Sequence, residues 1–588
     1  MHERIKLSVV HMAAALAGMA ALSGATGASG AENTAAALLD PAYLARNVCG
    51  PIPQRRTEVF KPGFQLAAGE VGAVAAAQGH GLRLYTNLGG MTFPITTRSP
   101  EAQRWFDQGL RLAFAFNHAE ARRAFKQAQA TDPTCAMCYW GEAYVLGPNI
   151  NWPMVPEAVA PAFAAISQAM ALKGEASPRE QALIEAMAQR YAADPAADRA
   201  DLDRAYADAM TPVAERHAED DLVQVLFADA LMNLQPWDYW APDKATPKGR
   251  TAEQVAALER VLARSPDHAG AIHLYIHTVE ASTTPERAEP HADRLGGLMP
   301  GAGHLVHMPA HIYYRVGRYL DSLNANIAAA KADEALFEMA PAEGIYRYGY
   351  YPHNVHFVLV SAQMAGDAQN AIAAAEKLGG VMSDEVAKQV SWIEAIKQAP
   401  YFAHARFSPP ETVLALPAPS DAFPYVQVSW RYARVLARTA QGDLDAAAEE
   451  LQELASLSER VDHEHLAKGL VPSEPVVAIA GKVAEARLAQ ARGDLDAAIA
   501  LLGEAAALED ELPYMEPPWW PYPVRQTLGA VLLEAGQPDA AAAEFQASLI
   551  RAPNNAYALY GLATAQEKLG DTTAAAASRA LLAKAWAG

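Results

Sequence analysis

The sequence predicts an all-α protein built as a solenoid of paired helices, and three observations carry that expectation. Apolar residues recur at helical spacing through most of the chain, glycines mark turns at matching points of successive segments, and a small residue stands five positions after each such glycine. The pairs are Gly317 with Ser322, Gly366 with Ala371, Gly442 with Ala447 and Gly493 with Ala498; GDLDAAAEEL and GDLDAAIALL are near copies. Glycine permits the tight turn between two helices, small residues let the helices approach, and a large apolar residue fills the gap to the next pair.

Taken in order, the chain opens with Arg4 and Lys6, an apolar stretch from Leu7 to Leu22, and then small residues. That is the layout of a secretory signal cleaved near Ala31, so residues 1–31 are expected to be a signal peptide. Residues 32–97 contain no repeat, and LRLYTNLGGMTFPI within them has extended character, which predicts a short irregular N-terminal segment. A first block of helical repeats follows at 98–405, although from about 155 to 260 the repeat pattern fades while the helices stay readable. Prolines set 406–424 apart as a linker, and a second block occupies 425–588, interrupted by PYMEPPWWPYP at 513–523.

Composition excludes several functions. The chain carries 67 acidic against 47 basic residues, a formal net charge of −20, and no dense Lys/Arg run, which opposes binding to nucleic acid. No stretch after the signal is long and apolar enough to span a bilayer, and no cysteine follows it closely enough to carry a lipid, so no integral membrane anchor is expected and the protein should be periplasmic or secreted. Three cysteines are too few for a disulfide framework. Cys135 and Cys138 stand at a spacing that suits a local disulfide or a shared soft metal ion, and Cys49 is an alternative partner for either.

Near the carboxyl end, APNNAYALYGLATAQEKLGDTTAAAASRALL carries Pro553, Gly570 and Ala575; the unit before it carries Gly529, Gly536, Ala541, Phe545 and Pro553. An early unit carries Trp105, Gly109, Ala121, Phe125, Ala128 and Pro133. At these spacings the chain resembles the tetratricopeptide-repeat (TPR) family over roughly residues 98–588. The resemblance implies a right-handed TPR helix-turn-helix solenoid whose first helices line a concave groove. It also implies the commonest use of such repeats, a nonenzymatic scaffold binding a peptide or protein partner, here in the cell envelope.

The repeat frame gives a cluster of histidines its coordinates. His304, His307 and His311 lie 13, 10 and 6 residues before the turn glycine Gly317, and His353 and His356 lie 13 and 10 before Gly366. Counted from Thr283, which takes the glycine's place in the preceding repeat, His273, His277 and Glu280 lie 10, 6 and 3 before the turn. At ~100° per residue the members of each helix fall within about 60° of arc, so each helix presents one stripe. Pro309 falls inside the helix so assigned, which must either start near His307 or kink there.

Neutral imidazole is a ligand for copper, iron and zinc, and these seven histidines are expected to hold one or two such ions. HLYIH has two-ligand helical spacing but lacks the glutamate that HExxH peptidases place after the first histidine, so a copper or iron oxidase or oxygenase is favoured over a hydrolase. Glu280 is the candidate catalytic carboxylate, as a base, a ligand or an orienting acceptor. Arg315 would face the groove beside His311 and hold an anionic group of a substrate. Aromatic loops around Trp152, Trp237, Arg347 and Trp519 would wall a pocket for a small molecule or a peptide. Metal sequestration, the remaining alternative, would need more Met or Cys ligands than Met308 and the distant CxxC supply.

Overall fold

The computed structural model describes residues 82–340 and 344–586. The signal peptide expected at 1–31, residues 32–81 of the irregular segment and Cys49 lie outside the described residues. Among the described residues every regular element is helical and no strand forms. The architecture is an all-α, TPR-like helix-turn-helix solenoid.

The first pair shows how the sequence makes it. Ser99 caps Pro100–Phe114 by accepting from the Ala102 amide, and proline sits in the first turn, where its missing donor costs nothing. Asn117 caps the partner helix, His118–Thr131, by accepting from Glu120. From that helix Phe125 wedges between Gly109 and Gly141; a Cβ added at either glycine would come 2.6 Å and 2.4 Å from its ring. Phe545 does the same between Gly529 and Gly561, with 2.9 Å and 2.2 Å. Small and large residues therefore interlock from one pair to the next. The turn glycines supply the left-handed backbone, with φ 77° at Gly317 and 78° at Gly366.

The extended character expected for LRLYTNLGGMTFPI is present without any sheet. This stretch runs along Pro100–Phe114, and side chains of that helix satisfy its backbone: Gln108 accepts from the Tyr85 amide at 2.7 Å, Asp107 from Phe93 at 3.0 Å and Gln103 from Ile95 at 2.9 Å. Cys135 and Cys138 form the local disulfide at the start of Ala136–Leu146. No helix among the described residues is long and apolar enough to cross a membrane.

Two large hydrophobic clusters meet at Trp392, which packs against both. The carboxyl-terminal repeats also return to the middle of the chain. The Asn554 side chain donates to the Gly317 carbonyl at 3.3 Å, and the Trp586 ring lies against Gly366. Within 406–424 the short helix Pro410–Leu414 packs on Pro424–Gln441.

Candidate metal centre

Three neighbouring repeats build the site. Ala269–Val279 is buried along its whole length and carries His273 and His277 one turn apart. The next segment is two helices, Gly303–His307 and Pro309–Arg315. Met308 joins them in helical geometry, and Pro309 opens the second helix, where an absent N–H is tolerated. His304, His307 and His311 stay adjacent across that junction, with successive ring centroids 5.9 Å and 4.7 Å apart. Tyr351–Ala365 supplies His353 and His356.

The histidines sort into two trios, His273 with His277 and His304, and His307 with His311 and His353. Within each trio one nitrogen per ring lies within 4.8 Å of the others. A single rule generates both: the two histidines 10 and 6 residues before a turn join the histidine 13 residues before the next turn. The second trio is thus the first displaced by one repeat. The third repeat lacks a partner four residues after His356, where Val360 stands, and builds no further trio. The trios adjoin, with ring centroids 5.6 Å apart for His277 and His311 and 5.9 Å for His304 and His307.

Their hydrogen bonds settle the tautomers. His273 Nδ1 donates to the Phe114 carbonyl at 2.7 Å, His277 Nδ1 to Glu280 Oε1 at 2.8 Å, and His311 Nδ1 to Glu280 Oε2 at 2.6 Å. His307 Nδ1 donates to Asn326 Oδ1 at 2.5 Å; the Asn326 amide is oriented by its own donation to the Ser322 carbonyl. Carbonyl and carboxylate oxygens cannot donate, so each of these Nδ1 atoms carries a proton, and in the neutral ring each Nε2 is left as the lone pair that can accept or ligate. His307 Nε2 and His311 Nε2 face one another at 2.8 Å, and His273 Nε2 lies 3.1 Å from His304 Nε2. His277 Nε2 and His304 Nδ1 are buried without a partner.

Burial shapes the electrostatics. Glu280 is wholly buried, and burial alone would raise its carboxyl; the neighbouring His311 and His277 and their hydrogen bonds hold it well below the usual carboxylate range instead. Burial pushes His273, His304, His307 and His353 well below the ordinary imidazole value. Phe116 packs over the first trio, its ring centroid 4.4 Å from His273 and 5.4 Å from His304, and Phe357 over the second, 4.8 Å from His307 and 5.0 Å from His353. Phe116 adopts φ 54°, a left-handed conformation rare for an aromatic residue. Trp237 stands edge-on to His277 at 5.1 Å.

One expectation changes. The TPR resemblance implied a concave surface, yet the histidines of the first trio are no more than 2% exposed, and so is His307. The covering comes from far along the chain: Tyr514, in the proline-rich loop of the second block, donates its hydroxyl to Glu280 Oε2 at 2.9 Å. Arg315 lies beside the centre, but its Nε and Nη2 donate to the carbonyls of Glu280 and Ser282 at 2.8 Å and 2.9 Å, and its guanidinium lies over the Tyr514 ring. Arg315 thereby ties down the backbone that carries Glu280. His356 belongs to neither trio and faces a cleft lined also by Trp392 and Trp519. Sequence reasoning missed Phe114, Asn326 and Tyr514, the partners that orient the site.

No family model and no curated protein matches this sequence. Solved structures similar to it include the Cut9–Hcn1 hetero-tetramer (13% identity, covering 79% of this chain and 76% of that one, TM-score 0.30). Yeast Tom70 (10% identity, 82% and 90% covered, TM-score 0.25) and the TPR domain of P58(IPK) (12% identity, 80% and 99% covered, TM-score 0.20) are others.

Proposed function

We propose that the chain is an exported metalloprotein that holds two transition-metal ions side by side, one in each histidine trio, and acts as an oxidoreductase. The carrying observation is the pair of bare Nε2 lone pairs of His307 and His311 at 2.8 Å, both rings already donating through Nδ1. Two lone pairs so placed repel unless a cation lies between them, and the fixed Nδ1 donors are the arrangement that orients imidazole toward a metal. Copper is the favoured ion. All candidate ligands are neutral imidazoles, copper tops the affinity order for such donors, and paired iron sites in helical proteins draw on carboxylate ligands that neither trio contains.

Copper ions, when bound, supply electron transfer and oxygen chemistry. The chain's own residues do the rest. Phe116 and Phe357 exclude water from the trios, Asn326 and the Phe114 carbonyl lock two rings, and Glu280 locks one ring of each trio while supplying negative charge between them. On this reading Glu280 positions the ligands; its oxygens already accept from His277, His311 and Tyr514. The local disulfide and the signal-like amino terminus support an oxidising compartment outside the cytoplasm.

Elemental analysis of exported protein purified without chelator tests the reading. The expected result is two ions per chain, falling to one in His277→Ala and in His307→Ala and to none in the double variant. A metal-free parent would overturn the reading and return the chain to the scaffold class.

The pH dependence has a definite sign. A lowered imidazole pKa keeps the neutral, ligand-competent form below the usual midpoint, so the ions should be retained at about pH 5.5 and released only in stronger acid. In metal-free protein the same shift makes the unfolded state bind more protons. Stability should then decline as pH falls below about 6.5, read as a falling urea midpoint.

A further inference from the structure

We propose that the cleft beside His353 is the substrate pocket of the histidine centre and that it takes a small, neutral aromatic molecule. The proposal rests on the metal reading for its chemistry and on separate observations for its ligand.

Access comes first. Every trio member is buried except His353, which is partly exposed, and His353 lines a narrow cleft open to solvent. That cleft is therefore where a molecule from solvent meets the centre. One wall is formed by Trp392 and Phe402 of the first block, the other by Met515, Trp519 and the prolines of the 513–523 loop. The same loop reaches the centre from behind through Tyr514 and Glu280.

The walls choose the ligand. They contain no Asp, Glu, Lys or Arg, so a charged molecule would lose its hydration without gaining a partner. Three aromatic rings and a thioether favour an aromatic body held by stacking and edge contacts. Polar contacts are few. The Gln398 amide is committed, donating to the Tyr425 hydroxyl at 3.1 Å and accepting from Ser429 at 2.9 Å.

Calorimetric titration of the full chain with benzyl alcohol, benzoate and benzylamine at neutral pH tests this. Saturable binding of benzyl alcohol alone is expected, weakened about tenfold in Trp392→Ala by loss of one aromatic wall. Met515→Glu, at the partly exposed rim, should reverse the preference toward benzylamine. Equal binding of the charged probes, or affinities unmoved by both variants, would overturn the proposal. Chelator-treated protein should keep its affinity for benzyl alcohol, so failure to find metal does not imitate failure of the cleft. In copper-loaded protein, saturating benzyl alcohol should shift the visible absorption of the copper, because His353 belongs to both cleft and centre; a band indifferent to the bound probe would separate the two and sink the assignment.

Discussion

On the proposed two-ion reading, replacing Glu280 by glutamine should weaken both ions together, about 10- to 100-fold each, although Glu280 belongs to neither trio. The carboxylate accepts from His277 through one oxygen and from His311 through the other, so it orients one ring in each trio. Glutamine offers a single oxygen and an NH2 group. Whichever way the amide lies, its NH2 faces an Nδ1–H, donor against donor. That ring must turn away or move its proton to Nε2, which costs its trio a ligand, while the other ring keeps only a neutral amide oxygen in place of the carboxylate and binds its ion less tightly. Two of the buried hydrogen bonds at Oε2, from His311 and Tyr514, also compete for whatever replaces that oxygen, so the metal-free protein should lose about 1–3 kcal/mol of stability. Competition titrations against a chelator, with a urea midpoint for the metal-free form, read both effects. An effect on one ion alone would mean that the trios are not joined through Glu280.

Much of the fold was legible because repeat architecture is enforced locally. Gly109, Phe125 and Gly141 interlock within 33 consecutive residues, and a turn glycine is demanded wherever φ becomes positive, as at Gly317 and Gly366. Those requirements leave marks at fixed spacing. The stretch after residue 82 was legible as extended but not in its pairing, because its backbone partners are side chains of Gln103, Asp107 and Gln108 rather than a second strand. The covering of the groove was not legible at all. Tyr514 is 234 positions from Glu280, and no periodicity links them.

The candidate site divides along the same line. All six trio histidines and Glu280 stand in the repeat frame, since the frame fixes which side of each helix they occupy. How they group is visible only in the structure, where each i, i+4 pair closes a trio with the leading histidine of the next repeat and His356 lacks such a pair. Spacing could not supply orientation either. Phe114 offers a backbone carbonyl to a ring 159 positions away, and Asn326 lies on the second helix of its pair, outside the histidine stripe. Arg315 faces the centre as its position suggests, yet its donors are directed to carbonyls that only the folded turn brings near.

The covering of the centre depends on the second block folding back, and Gly317 lies at that contact. A Cβ there would meet the Pro553 carbonyl oxygen at 2.1 Å, and the residue holds φ at 77°. Gly442 shares that φ of 77° at the equivalent turn, but a Cβ there would meet nothing within 4 Å. Gly442→Ala should therefore cost only the left-handed backbone penalty, about 1 kcal/mol. Gly317→Ala carries the same penalty plus the displacement of a backbone carbonyl that no rotamer change can relieve, together about 3 kcal/mol. It also strains the donation from Asn554 to the Gly317 carbonyl. Paired urea denaturations isolate the difference of about 2 kcal/mol, because the turn conformation is common to both variants. If docking of the second block is what shields the trios, Gly317→Ala should also speed removal of metal by a chelator while Gly442→Ala leaves it unchanged. Equal stability losses in the two variants would show that the turns at 317 and 553 do not bear on one another in solution, and the burial of Glu280 would then need a different source than the return of the carboxyl-terminal repeats.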